Sequence, residues 1–127
     1  MRTILIILAV WHGAGGIFML FAPEAWYAFA PDVTETGPAN LHFIRDIGLA
    51  FIASAAALVA ATRADAPTAV LLAPAIFLGG HAGIHLVELL EHGATAATAL
   101  RDTALILVPG FLPLAFFRRR PVEGRVA

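Results

Sequence analysis

The stretch HAGIHLVELLEH, residues 81–92, places His81, His85, Glu88 and His92 within three turns of one helix. At 100° per residue these four fall at roughly 0°, 40°, 340° and 20°, a single polar stripe. Imidazoles four residues apart have the spacing of many metal sites. Glu88, three residues after His85, adds an inverted form of the Glu-x-x-His pattern of metal-binding bundles. The chain has no cysteine, so disulfides, thiolate sites and CxxC chemistry are excluded. Any metal would meet nitrogen and oxygen donors only. That set suits Zn, Cu(II), Fe or Ni and does not choose among them.

Other ionisable residues stand in equally apolar surroundings: His12, then His42, Arg45 and Asp46. Asp46 suits a ligand or an acceptor that fixes a histidine tautomer. The metal set expected from sequence is therefore His12, Asp46, His81, His85 and Glu88, with His42 and Arg45 in support. His12 and His81 form the natural axial pair for haem. Without CxxCH that haem would be non-covalent, of b type. Each residue alone also has an ordinary role. His12 suits a hydrogen bond between helices. Arg45 and Asp46 suit a structural ion pair. His92 and Glu91 suit a solvated helix end, and Met19 suits packing. A bound metal or haem and a water-filled polar network both stay open.

The elements that position these groups follow from composition. Of 127 residues 60% are hydrophobic and 13% charged, and mean hydropathy is +0.84. A soluble domain of this size needs a more polar exterior. No basic face exists for nucleic acid. The chain reads as one all-α domain, an integral membrane four-helix bundle with spans at about 3–22, 41–62, 66–90 and 97–117. Arg2 and Ala28-Phe29-Ala30 imitate a signal peptide, but the apolar run is too long and the AxA too distant, so the first segment is expected to stay as a span. Pro109, Gly110 and Pro113 should bend the fourth helix.

Arg2, Arg63, Arg118, Arg119, Arg120 and Arg125 flank the N-terminus, the second connection and the C-terminus. The first connection carries Glu24, Asp32 and Glu35 and no arginine. The positive-inside rule then gives both termini in the cytoplasm, N-in and C-in. All basic residues are arginine and alanine abounds. That composition suits a GC-rich bacterial genome, hence a multi-pass protein of the bacterial inner membrane. Counting at about 1.5 Å per residue pairs His12 with His81, Asp46 with His85 and His42 with Glu88 in depth, all in the outer half. The one-sided placement argues for a single internal site and against a complete transport path. Glycines beside His12 and the Gly79/Gly83 pair around His81 suggest close helix approach there, with Gly83 as its test, and they also leave room for a cofactor.

The segments LAVWHGAGGIFMLFAPEAWYAFAPDVTETGPANLHFIRDIGLAFIASA and FLGGHAGIHLVELLEHG carry a resemblance. They resemble a family of small bacterial four-span membrane proteins, most specifically in TGPANLHFIRDIG and in the HAxxH followed by an acid. The resemblance covers most of the chain and implies the fold without bringing an activity. In size and topology the chain is more distantly similar to DoxX-like proteins, which are associated with quinone-linked redox chemistry in membranes. No residue of theirs carries over position by position. Two functions follow from the residues: binding of a metal ion or b-type haem in the membrane, with redox chemistry as its extension, or an accessory, structural subunit of a larger complex. The partners expected are lipid, other membrane subunits or further copies of the chain. Sequence does not decide whether the protein is an enzyme.

Overall fold

The computed structural model describes residues 1–119; Arg120 and Arg125 lie outside them. Its elements are α1 (Arg2–Phe21), α2 (Pro23–Phe29), α3 (Leu41–Ala60), α4 (Leu72–His92), α5 (Ala96–Asp102) and α6 (Val108–Phe111). Single-turn 3-10 helices lie at Val33–Thr36 and Thr68–Leu71. A π segment, Thr103–Leu107, joins α5 to α6, and a 3-10 segment, Leu112–Arg119, follows. No strand occurs among the described residues.

Four helical stretches are long and apolar enough to cross a membrane: Arg2–Phe21, Leu41–Ala60, Thr68–His92 and Ala96–Phe117. The third begins and ends two residues later than the sequence suggested. Their outward faces carry exposed Ile7, Ile17, Phe21, Ile76, Ile84 and Leu90. Apolar surface on every side is what a bilayer requires of an all-α bundle. The molecule is a multi-pass, all-α four-helix bundle.

Local sequence sets the helix ends. The Asn40 side chain accepts the Phe43 N–H at 3.0 Å and caps α3, and Thr95 does the same for Thr98 at 3.1 Å on α5. Each satisfies a donor the first turn leaves free. In the first connection Tyr27 donates to the Gly37 carbonyl at 2.6 Å. Arg101 reaches across from α5 to Asp32 at 2.5 Å while also holding buried Asp102 at 2.8 Å. The first connection is thus tied to the start of the fourth span.

Helices α1 and α3 cross antiparallel at two bare backbones. A Cβ on Gly16 would stand 2.6 Å from the Gly48 carbonyl oxygen, and one on Gly48 2.8 Å from that of Gly16. The glycines near His12 therefore do bring helices together. The Gly79/Gly83 pair does not act as expected. A Cβ on Gly79 would make only ordinary contact with Leu114 at 3.5 Å, and one on Gly83 would meet nothing within 4 Å. The close approach of α4 lies on the neighbouring face, where a Cβ on Gly110 would fall 2.6 Å from Ala82 and 2.7 Å from the Leu78 carbonyl.

Candidate functional site

The site is a row of rings. His12 is buried on α1 and stacks on Phe51 of α3, centroids 5.7 Å apart. Phe51 meets His81 of α4 edge-on at 5.5 Å, and His81 meets His85 edge-on at 4.8 Å. His85 Nδ1 then faces a Glu88 carboxylate oxygen at 3.6 Å. The row becomes more open along its length: His12 is 6% exposed, the His85 side chain 29% and that of Glu88 57%. Phe51 packs against both His12 and His81 and stands between them.

What holds His12 comes from the fourth span. Pro113 has no N–H, so the Pro109 carbonyl four residues earlier lacks its α-helical donor. His12 Nε2 lies 3.4 Å from that oxygen, which can only accept. Pro109 in turn withholds a donor from Leu105, and Trp11 Nε1 donates to the Leu105 carbonyl at 3.2 Å. Two prolines thus expose two carbonyls, and two adjacent ring N–H groups on α1 meet them. In a bilayer such carbonyls find their partners within the protein. His12 is occupied as an interhelical hydrogen-bonding residue.

The other residues lie elsewhere. His42 and Asp46 pair with each other at 3.4 Å, one turn apart on α3, with side chains 89% and 55% exposed. At 100° per residue Asp46 sits roughly 140° around α3 from Phe51, away from α4. It forms no ion pair with His85; each carboxylate joins the histidine of its own helix. Arg45 is exposed beside Phe21 and Glu24 at the end of α1. His92 Nδ1 lies 3.3 Å from the Glu88 carbonyl, where it closes the last turn of α4.

The donor set can be weighed against a cofactor. A haem between His12 and His81 would need both imidazoles to aim into one gap. Here Nε2 of His12 faces Pro109 and its ring face lies on Phe51, so the pair does not fit haem. No buried side-chain nitrogen or oxygen among the described residues lacks a hydrogen-bond partner. No three His, Asp or Glu groups among them gather as a metal cluster. What remains accessible is a two-imidazole face on α4, His81 and His85, with Glu88 beside it. Gly80 and Gly83, where a Cβ would meet nothing within 4 Å, lie on other faces of α4, Gly83 roughly 180° around the helix from the pair.

Sequence reasoning missed Phe51, the ring that joins α1 to α4. It also missed the carbonyls at 105 and 109. A signal for these was present: prolines at 109 and 113 each remove a donor from a carbonyl four residues back, and Trp11-His12 offers two ring donors on one helix. Comparison with protein-family models, with curated proteins and with solved structures finds no match.

Proposed function

We propose that this multi-pass membrane protein binds a divalent transition metal through His81 and His85, with Glu88 as the adjoining carboxylate. The reading includes an N-in, C-in orientation in a bacterial inner membrane, which puts the site in the outer half. The observation that carries it is the 4.8 Å separation of two half-buried imidazoles one turn apart on α4. Such a pair offers two nitrogen donors from one rigid helix. An ion seated there completes its shell with water or with the Glu88 carboxylate, which already stands 3.6 Å from His85. Zn, Cu(II) and Fe all accept that donor set. Open coordination positions are what an ion needs to act on a substrate rather than only to hold a fold.

A second reading is an accessory subunit of a larger membrane complex. It is favoured by one observation: among the described residues no three His, Asp or Glu side chains, His81, His85 and Glu88 included, are arranged to hold a metal ion together. Metal analysis and an absorption spectrum of the purified protein separate the two. Near-stoichiometric Zn, Cu or Fe supports the site. Absence of metal after purification without chelator, together with no uptake on addition of each ion, supports the accessory subunit.

A further inference from the structure

Ionisable side chains within a membrane span nearly always face a protein interior or a water-filled cavity. Asp46 lies five residues into α3, roughly 8 Å along it, yet it points away from its own bundle. Its side chain is 55% exposed and that of His42 89%. Nearby Arg45 is exposed and forms no ion pair among the described residues. We propose that this face of α3 is the contact with a second copy of the chain, which supplies the interior these charges lack.

The pattern of the face fits a parallel helix pair. His42, Asp46, Leu49, Ala53, Ala56 and Ala60 follow one another in alternating steps of four and three residues. This is the 3.5-residue repeat of a supercoiled seam. Leu49, Ala53 and Ala56 are exposed, and Ala60 is half-buried. Two copies in one membrane share their orientation, so a two-fold axis along the membrane normal sets equal residues at equal depth. In a parallel seam each residue enters a hole formed by four residues of the facing helix. For Asp46 those four are the second copy's His42, Arg45, Asp46 and Leu49. Each carboxylate then meets an arginine and a histidine, and the layer is complementary to itself. The alanines below let the two backbones approach closely. Charge complementarity selects a second copy, because its Arg45 and His42 stand at the level of Asp46.

The chain has no cysteine, so single cysteines report the contact without background. Leu49→Cys, Ala53→Cys and Ala56→Cys are compared with Ile17→Cys and Ile84→Cys, exposed on α1 and α4, in native membranes under a disulfide-forming oxidant. The expected result is covalent dimer at the three α3 positions and little at the other two. Adding Asp46→Lys to Ala53→Cys replaces the carboxylate that meets Arg45 and His42 with a further cation and should cut dimer about tenfold. Equal cross-linking at all five positions, none on α3, or dimer unaffected by Asp46→Lys would overturn the proposal.

Discussion

Helices α1 and α4 each carry two adjacent polar rings into the bundle, and the two pairs are treated in opposite ways. Trp11 and His12 meet carbonyls that prolines have exposed on the fourth span. His81 and His85 meet each other, and His85 meets a carboxylate of its own helix. The backbones differ in the same sense. Around His12 the glycine crossing with α3 leaves no room for one added carbon, whereas Gly80 and Gly83, on other faces of α4 from His81, meet open space. The same residue type is a structural tie on one helix and, in the function proposed above, a ligand pair on the other. What decides is whether a neighbouring span presents an unmet acceptor.

The comparison breaks most visibly at the glycine crossing. Gly16→Leu puts a branched side chain where a single Cβ already stands 2.6 Å from a carbonyl oxygen. Overpacking of this kind costs about 1–3 kcal/mol, here at the upper end because backbone rather than a rotamer must yield. Thermal unfolding in detergent should show a large drop in midpoint. Unchanged stability would mean that the α1–α3 contact is looser than described.

His12→Leu comes next, at about 1 kcal/mol for an interhelical hydrogen bond. The proline account adds a sharper test. Pro113→Ala returns an N–H to the turn that leaves the Pro109 carbonyl free. The cost of His12→Leu should therefore be smaller on the Pro113→Ala background than on the wild type. Additive costs in that double-mutant cycle would remove the proposed cause of the His12 contact.

Gly83→Leu should change stability by no more than about 0.5 kcal/mol, since its side chain enters open space. A loss as large as that of Gly16→Leu would restore Gly83 to the packing role its sequence pattern suggested.

The smallest effect belongs to the connection between α3 and α4. There the Arg63 hydrogen bond holds the Asp65 carboxyl below its ordinary value of 3.8. A depressed carboxylate contributes stability above its unfolded pKa and loses it as pH falls through the folded one. Asp65→Asn should thus be slightly destabilising at neutral pH and indistinguishable from wild type well below pH 3.8. The pair is fully exposed, so the difference stays small. A difference that grows on acidification would reverse the sign and reject the assignment.

The fold was legible in the sequence because hydropathy and span length act through composition, and a bilayer tolerates few alternatives. The spans emerged within a few residues. Side-chain direction around a helix is a different quantity. Asp46 matched His85 in depth but lies on the wrong side of α3, and depth counting cannot see rotation about an axis. Gly83 failed for the same reason: the Gly79/Gly83 pattern marks small residues without saying which helix faces them. Phe51 carries no polar atom and so gave no chemical signal, although it joins the two histidines in space. The proline-exposed carbonyls were legible in principle, because backbone donors can be counted from sequence alone.

Metal titration of the purified protein tests the central claim most directly, with wild type set beside His81→Ala, His85→Ala and His12→Ala. Neutral imidazoles ligate and protons compete for them, so affinity should fall on acidification. The account predicts one binding event in the wild type, lost in His81→Ala and in His85→Ala. It predicts that His12→Ala retains the event, because that ring already serves the Pro109 carbonyl. Equal binding in all four proteins, or loss in His12→Ala matching that of the α4 variants, would contradict it.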